Sequence, residues 1–427
     1  MKKTYLFGMA LMGSLAFYAC SNEEKMDNLT SPTGADQVIS LAVANSNGIS
    51  TRAGRPLLSS EANQTIENVV VYVVNSSTKA VAYTKEFTGN WQSSSVEYGT
   101  NDGRSTNFVL ETNLEDGNYQ IFAVGFHNSS SYGDIKTALV TEGSFNENAV
   151  LSLSTDGGAE EIFAGSTEAF EVKKATGFKK EVVLNRQVAG VYVYTKDIPY
   201  IADATQLRLV ASNENNRLVL GQFANLNLDN NGSGNTIDMA VVNGFSESTA
   251  FDKTLVTINL NDWFSSIEAN GNLIDASKWD KPSKYDGVAT FEKGSVFGGE
   301  FVIPFAKVEE TQTLKLQLTT AGGEVKREWN VNMPTSSTTS SYTLYTWDTE
   351  TSAFTSQSSV TEDKHFYNIV RNHLYGLGDR VSDDPGNGTD PEPTPDDDDD
   401  PVSLDNKHEI ELVVNDNWEV IHNMELE

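Results

Sequence analysis

The chain has 427 residues, and its 60 acidic and 30 basic side chains give a formal net charge of −30 at pH 7. This balance excludes nucleic acid as a partner, because phosphate backbones require clustered lysine and arginine, and it argues against anionic membrane surfaces. The length is enough for two domains with cores of their own. A single cysteine cannot form an internal disulfide, so no covalent cross-link is expected within the fold.

The first 19 residues have the pattern of a secretory signal peptide. Lys2 and Lys3 supply a positive start, and residues 4–19 are apolar or small. A helix of this length spans about 24 Å, which is short of the roughly 30 Å of a bilayer core, so a membrane anchor is not expected here. No later stretch has a run of about 18 apolar residues, so no transmembrane helix is predicted.

Cys20 follows the apolar run directly. The sequence FYAC resembles a bacterial lipobox, with Phe17 where leucine is usual and Tyr18 where a small residue is usual. This resemblance implies lipidation of Cys20, by palmitate among other chains, and attachment to the outer membrane. The acidic stretch SNEEK that follows resembles the surface-export signal of lipoproteins from Gram-negative anaerobes. The alternative is an ordinary secreted protein in which this cysteine has no such role.

Residues 38–44 predict a strand near the mature N-terminus. Ile39, Leu41 and Val43 point to one side of an extended segment, and small residues point to the other. We hypothesise that this strand fills a slot in the first domain and is removable.

The loop after this strand contains two arginines. Arg52 precedes the small residue Ala53, whereas Arg55 precedes Pro56. Proline lacks the amide hydrogen and distorts the backbone of a substrate, so trypsin-like proteases cleave poorly before it. The bond between Arg52 and Ala53 is therefore the expected cleavage site, and the alternative is a plain surface loop.

Two series of short strands follow, separated by clusters of Gly, Asn, Asp and Ser. The first series comprises residues 66–74, 79–87, 106–112 and 118–126, and the second comprises residues 182–195, 205–212, 254–260, 299–306, 313–320, 324–333 and 365–377. Strands of this length and spacing predict an all-β chain built of β-sandwiches. The boundary between two domains is expected near residue 182.

A strongly acidic segment separates the second domain from the end of the chain. Residues 383–400, the acidic segment, contain nine acidic residues, four prolines and no basic residue. Proline stiffens the chain and like charges repel, so an extended, unpaired spacer is expected over residues 381–407. A calcium site would need oxygens that converge from a folded loop, and a solvated spacer is the preferred interpretation.

The last twenty residues, 408–427 (the terminal segment), have the pattern of a long amphipathic strand. Its apolar face comprises Ile410, Leu412, Val414, Trp418, Val420, Met424 and Leu426. A single strand on a tether must pair its backbone groups and bury its apolar face. It therefore pairs either with its own second domain or with a neighbouring molecule, as an added strand. Its face pattern matches that of residues 38–44, which favours the second destination.

These features together resemble the fimbrillins, the major subunits of type V pili. The resemblance covers nearly the whole chain and rests on the lipobox, VISLAVANSNGISTR, VVVYVVN, LNRQVAGVYV, YNIVRNHLY, the Pro/Asp spacer and the terminal strand with one tryptophan. YNIVRNHLY together with the spacer and the tryptophan strand is the most specific part. The chain departs from the pattern at Asn417, where proline often precedes the tryptophan, and in the acidity of its spacer.

The resemblance implies two tandem β-sandwich domains of transthyretin-like topology, followed by a donor strand on an acidic, Pro-rich spacer. The implied division is a signal peptide (1–19), a lipidated propeptide (20–52), the two domains (53–181 and 182–380), the spacer (381–407) and the donor strand (408–427). It also implies cleavage after Arg52 by an Arg-specific protease. Polymerisation by donor-strand exchange with other copies and related pilus subunits would then build a cell-surface fimbrium that supports adhesion.

No catalytic residue, cofactor or metal site is predicted. His365 and His373 lie eight residues apart on a predicted strand, about 27 Å from each other, too far to share a metal, and one cysteine excludes a thiolate zinc site. Residues 229–238 have a faint likeness to a calcium loop, but Ala240 stands where glutamate is needed.

Two further features concern structure and an alternative function. Arg186 and Arg371 lie within apolar strands, where a buried ion pair or a sheet-edge contact is expected. The alternative to a pilus subunit is a monomeric surface lipoprotein that binds glycan or another ligand through exposed Trp, Tyr and Asn side chains.

Overall fold

The structure, a computed structural model, describes most of the chain as β-strands and turns. The described residues are 36–43, 66–98, 103–127, 131–153, 158–212, 215–220, 241–242, 253–285, 291–306, 314–332, 342–348, 353–360, 368–369, 371, 373–378, 401–405, 420–423 and 425–426. The all-β class predicted from the sequence is confirmed. Within these ranges no helix has the length and apolar character needed to cross a bilayer.

The first half of the chain forms one sandwich. Its strands are β1 (Gln37–Val43), β2 (Asn68–Asn75), β3 (Val81–Phe87), β4 (Val96–Tyr98), β5 (Gly103–Val109), β6 (Gly117–Phe126), β7 (Val140–Thr141), β8 (Ser144–Phe145), β9 (Val150–Ser152), β10 (Ile162–Ser166), β11 (Phe170–Val172) and β12 (Phe178–Arg186). Two short helices are α1 (Trp91–Ser94) and α2 (Ile135–Leu139). The strands pair in the order β3-β2-β6-β10-β12-β1-β5-β4, and β11 pairs with β6.

Strand β12 connects the two layers of this sandwich. Its first seven residues pair in parallel with β1, and its last two, Asn185 and Arg186, pair with β10. The hydrogen-bonded path therefore passes from one layer to the other at β12. The core between the layers contains Ile39, Leu41, Val69, Val71, Val73, Ile121, Phe163, Val182 and Leu184. Strands β1 and β12 on one side and β2, β6 and β10 on the other thus share a single core.

The continuous apolar run of β2 is buried on both faces. Val69, Val71 and Val73 face the sandwich core, as the alternation of a strand requires. Val70, Tyr72 and Val74 belong to a second apolar cluster, which includes residues of α2 and continues into the second half of the chain. Burial raises the pKa of Tyr72 to about 12, so its hydroxyl brings no charge into this cluster at neutral pH.

The second half of the chain supplies the remaining strands. They are β13 (Ala189–Lys196), β14 (Gln206–Ala211), β15 (Arg217–Val219), β16 (Val241–Val242), β17 (Lys253–Asn259), β18 (Ala269–Asn270), β19 (Leu273–Ile274), β20 (Val296–Val302), β21 (Phe305–Ala306), β22 (Leu314–Thr319), β23 (Val325–Asn332), β24 (Tyr342–Asp348), β25 (Ala353–Val360), β26 (Asn368–Ile369), β27 (His373–Leu377), β28 (Val402–Ser403), β29 (Val420–Asn423) and β30 (Glu425–Leu426). Single 3₁₀ turns lie at Leu260–Asp262, Ala276–Lys278 and Ser283–Tyr285.

Two sheets make the second sandwich. One has the order β20-β13-β27-β29, with β28 also on β13, and the other has the order β17-β14-β22-β23-β30. Close packing across a pair of strands depends on glycine at one position in particular. A Cβ atom on Gly376 of β27 would lie 2.1 Å from the ring of Tyr192 on β13, so no larger residue fits there. The small pairings β16-β24-β25, β21-β26, β18-β19 and β7-β8 complete the strands.

The junction between the two sandwiches lies later than the boundary expected near residue 182. Strand β12 runs to Arg186 and pairs only with strands of the first sandwich among the described residues, whereas β13 begins at Ala189 in the second. The two halves are joined further by the antiparallel pair β9–β15. The single predicted segment 182–195 is therefore two strands, because a short turn redirects the chain between the two cores.

The expectation of a buried ion pair at Arg186 is confirmed. Its guanidinium lies 2.7 Å from Glu161, and the two side chains are only 4% and 2% exposed. Arg371, from the second half, donates a 3.1 Å hydrogen bond to the side-chain oxygen of Gln187. Polar groups buried in this way are stable only when they are paired. The junction between the two sandwiches therefore depends on specific polar contacts and not on apolar packing alone.

We predict that Glu161→Ala lowers the free energy of unfolding by about 3–5 kcal/mol, because it leaves Arg186 charged and buried. Urea unfolding of the purified protein measures the change. Glu171→Ala is the matched control: it removes the exposed partner of Lys173, where both side chains are more than 60% exposed, and should cost less than about 1 kcal/mol. Equal losses in the two variants would contradict the prediction.

Candidate assembly site

Strand β1 occupies the middle of a layer and holds its neighbours together. It pairs in parallel with β12 from Gln37–Phe178 to Val43–Leu184, and antiparallel with β5 from Val38–Val109 to Val43–Arg104. Neighbouring strands lie about 4.8 Å apart, so β5 and β12 are separated by about 10 Å, a space that β1 alone fills among the described residues. We call this space the slot.

The side chains of β1 are buried on both faces. Ile39 and Leu41 have no exposed surface and lie in the core of the first sandwich. On the other face, Val38, Ser40 and Ala42 are at most 4% exposed. The predicted inward face of this strand is thus present for Ile39 and Leu41. For Val43 the structure describes the backbone pairing only.

A polar contact fixes one end of β1 in the slot. The side-chain amide of Gln37 donates to the carbonyl oxygen of Leu114 (3.1 Å) and accepts from the Leu114 N–H (2.7 Å). The backbone adds two bonds at this end, from Leu110 N–H to the Gln37 carbonyl and from Phe178 N–H to the Asp36 carbonyl. Because a strand that slips by one residue exchanges its faces, a side chain that recognises one backbone position fixes the register.

One buried side chain of β1 lacks a hydrogen-bond partner among the described residues. Ser40 lies opposite Asn107 in the ladder, and among the described residues neither the Ser40 hydroxyl nor the Asn107 Oδ1 has a hydrogen-bond partner. An unpaired buried hydroxyl costs about 1–3 kcal/mol. The slot therefore holds β1 less firmly than a wholly apolar outer face would allow.

The residues that connect β1 to the rest of the chain lie outside the described residues. These include Arg52 and Ala53, and Cys20 lies outside them as well. In chain order, the bond between Arg52 and Ala53 lies between β1 and all the other strands. A cut at the bond between Arg52 and Ala53 would leave β1 attached to the first sandwich by noncovalent contacts only.

The described parts of the terminal segment pair with the second sandwich of their own chain. Strand β29 pairs in parallel with β27, from His373–Val420 to Gly376–Asn423, and β30 pairs antiparallel with β23 at Val331–Leu426. This is one of the two destinations that the sequence left open. Val420 and Leu426 lie in these strands, whereas Ile410, Leu412, Val414, Trp418 and Met424 lie outside the described residues.

The spacer expected over residues 381–407 includes residues that are folded into the second sandwich. Val402 and Ser403 form β28 on the edge of β13, and Leu404 is completely buried. The Leu404 N–H donates to the Lys196 carbonyl at 2.9 Å. An apolar residue with a paired backbone does not belong to a solvated tether, so residues 402–404 are part of the second sandwich. The signal for this was present in the sequence PVSL, directly after the aspartate run.

No group of three or more His, Cys, Asp or Glu side chains able to hold a metal occurs in the described part of the chain. His365 and residues 229–238, for which the sequence predicts no metal site, lie outside that part, and only the backbone of His373 is described. The functional residue that sequence reasoning missed is Gln37. It sits one residue before the alternating pattern, and only the position of Leu114 in the fold reveals its role.

Comparison with known proteins gives distant likenesses. No protein-family profile matches the chain, and no curated protein does. Among solved structures, a fimbrial assembly protein from Parabacteroides distasonis is 13% identical, covers 78% of this chain and 98% of its own, and has a TM-score of 0.35. The fimbrial anchor protein Mfa2 from Porphyromonas gingivalis is 10% identical, covers 79% and 99%, and has a TM-score of 0.33. These proteins are of the class that the sequence resembles, but TM-scores this low carry no argument about function.

We predict opposite effects for two polar residues of β1. Gln37→Ala should lower the free energy of unfolding by about 1–3 kcal/mol and speed hydrogen exchange at the Leu114 amide, because that N–H loses its buried acceptor. Ser40→Ala should raise stability, because it removes an unpaired hydroxyl without changing the packing of the core face.

Urea unfolding and hydrogen exchange on the intact chain measure both changes. Gln206→Ala is the control, since its side chain bonds Asn259 and Arg208 in the second sandwich, and it should leave the Leu114 exchange rate unchanged. A stabilising Gln37→Ala, or a destabilising Ser40→Ala, would contradict the account of the slot.

Proposed function

We propose that this protein is a structural subunit of a cell-surface fimbrium that supports adhesion. In this proposal it is exported as a lipoprotein through Cys20, cut between Arg52 and Ala53 by an Arg-specific protease, and polymerised by donor-strand exchange. Its partners are other copies of itself and related pilus subunits. The outer membrane is a partner only through the lipid, before cleavage.

One observation carries the proposal. A strand at the extreme N-terminal side of the described chain lies in the middle of a sheet, and the only covalent link from it to the sandwich passes through Arg52 and Ala53. A central strand normally does not leave its sheet, because both of its edges are paired. Here a single proteolytic cut converts it into a noncovalent plug and the slot into a site for another strand.

A strand forms more backbone hydrogen bonds in the slot than the terminal segment forms at its position in its own chain. Strands β29 and β30 stand at the ends of their sheet orders, so each pairs along one edge only among the described residues. A strand in the slot pairs along both edges and places one face in the core of the first sandwich. Each extra ladder bond contributes about 0.5–1.5 kcal/mol and each buried Leu, Ile or Val about 1.5–3 kcal/mol. This difference favours transfer of the terminal segment to an open slot.

The apolar positions of the two strands have the same spacing. Ile39 and Leu41 fill the core side of the slot, and Ile410 and Leu412 repeat that pair with the acidic Glu411 between them. An emptied slot therefore matches the terminal segment of a neighbouring copy in the alternation of its core-facing residues. The alternative remains a monomeric surface lipoprotein that binds a glycan or another ligand.

We predict that Arg52→Ala blocks assembly. The precursor should accumulate on the cell surface at full length, and the heat-sensitive ladder expected of the polymer on denaturing gels should be lost, because β1 stays covalently attached. Arg55→Ala is the matched control, since Arg55 precedes Pro56 and is not expected to be cut. Fibres from Arg52→Ala at the normal rate would show that the slot is not opened at this bond.

We predict that deletion of residues 407–427 leaves a folded, exported and cleaved monomer. The second sandwich keeps its core strands, because β29 and β30 are edge strands, but the deleted chain has no strand to donate. Electron microscopy and gel ladders measure polymerisation, and circular dichroism checks folding. Normal fibres from this deletion would refute strand donation by the terminal segment, and a single monomer band from the intact protein would favour the monomeric alternative.

A further inference from the structure

The acidic segment leaves and rejoins the second sandwich at neighbouring points. It leaves after Gly378, whose φ of +86° turns the chain sharply and whose carbonyl accepts a 2.9 Å hydrogen bond from the Tyr192 hydroxyl. A Cβ atom on Gly378 would lie 3.2 Å from the backbone nitrogen of Val402. The residues on either side of the acidic segment are therefore in contact, although more than twenty residues separate them in sequence.

The residues that follow the acidic segment, 402–404, are bound firmly to the second sandwich. Strand β27 pairs in parallel with the first half of β13, ending at Val193–Leu377, and β28 continues along the same edge at Thr195–Val402 and Lys196–Ser403. Ser403 Oγ donates to the Asp197 carboxylate at 2.6 Å. Leu404 has no exposed surface and belongs to the large apolar cluster. The described residues on either side of the acidic segment are thus held on one edge of β13.

It follows that the acidic segment does not lie between the second sandwich and the terminal segment. The chain that joins the anchored Leu404 to His408 contains only Asp405, Asn406 and Lys407. Fully extended, these four steps reach about 14 Å. That distance is close to the radius of gyration of a 100-residue domain, about 13 Å, so it cannot separate two domains as a flexible spacer does.

On the basis of the proposed function, we propose that consecutive subunits touch directly. The contact joins the surface around Ser403 and Asp405 of one copy to the Gln37 end of the slot in the next copy. The partner is thus a second copy of this chain, and it must come within the reach of the three-residue tether. The acidic segment is not required for this reach.

The direction of the incoming strand selects which end of the slot makes the contact. The walls of the slot present hydrogen-bonding groups spaced for a strand parallel to β12 and antiparallel to β5, as β1 is. A replacement in the same direction enters with its N-terminal residues beside Leu114 and Phe178. The turn that contains Thr176, between β11 and β12, stands at that end and is exposed. Ser93, near Arg104, stands at the opposite end.

The first test replaces residues 381–400 by a short Gly-Ser turn. If the acidic segment is a loop beside the path, the variant assembles at the wild-type rate, with the same ladder on gels. Loss of fibres from a variant that circular dichroism shows to be folded would overturn the proposal, because it would make the acidic segment the tether. A matched variant carries a flexible Gly-Ser insertion between Asp405 and Asn406 and should still polymerise.

The second test measures the contact itself. The mature chain has no cysteine after loss of Cys20, so introduced cysteines are the sole thiols. Fibres carrying Asp405→Cys and Thr176→Cys should form a heat-stable ladder with a short bismaleimide, and fibres carrying Asp405→Cys and Ser93→Cys should not. The Gly-Ser insertion after Asp405 should reduce the first cross-link severalfold. Equal cross-linking by the two pairs, or a preference for Ser93, would overturn the proposed contact.

Failure of this inference is distinguishable from failure of the proposed function. If deletion of residues 407–427 abolishes fibres while the replacement of residues 381–400 also abolishes them, strand donation stands and the short tether is wrong. If the deletion leaves fibres intact, the proposed function is wrong whatever the cross-links show.

Discussion

The rest of this structure depends on the two-sided backbone ladder that holds β1 between β5 and β12. Seven residues close a gap of about 10 Å, and both faces of the strand are buried when they do so. Without β1, among the described residues strand β5 keeps only β4 as a ladder partner, and β12 keeps only its two-residue pairing with β10. A sheet with such a gap exposes two unpaired edges and an open core, which is the condition that favours addition of another strand.

The contacts around β1 include stabilising interactions and one unsatisfied polar group. Ile39 and Leu41 anchor the strand in the core, and Gln37 sets its register through the backbone of Leu114. Ser40, in contrast, brings a buried hydroxyl that finds no partner among the described residues. The unpaired hydroxyl makes β1 less stable in the slot than an apolar residue at this position would. The buried pair of Arg186 and Glu161 lies at the junction, where it preserves the scaffold around the slot.

Much of the fold was predictable from local pattern. The strands β2, β3, β6, β14, β17, β22 and β23 were expected within a few residues, because alternating or continuous apolar runs between turn residues have few other solutions. The expected boundary near residue 182 fell inside β12, since nothing in a run of apolar residues marks where the chain changes its core. Glu161, the partner of Arg186, was also beyond prediction, because the two residues meet only through the pairing of β10 with β12.

The sequence by itself determined the all-β class, the two apolar faces at the ends of the chain and the arginine between β1 and the first sandwich, since these depend on residue type and on a period of two. Only the tertiary structure decided that β1 lies in the middle of a sheet, that Gln37 recognises Leu114, and that the residues on either side of the acidic segment meet on β13. The reason is physical. Each of these facts is a pairing between residues far apart in the chain, and a local pattern states that a strand needs a partner without naming which one.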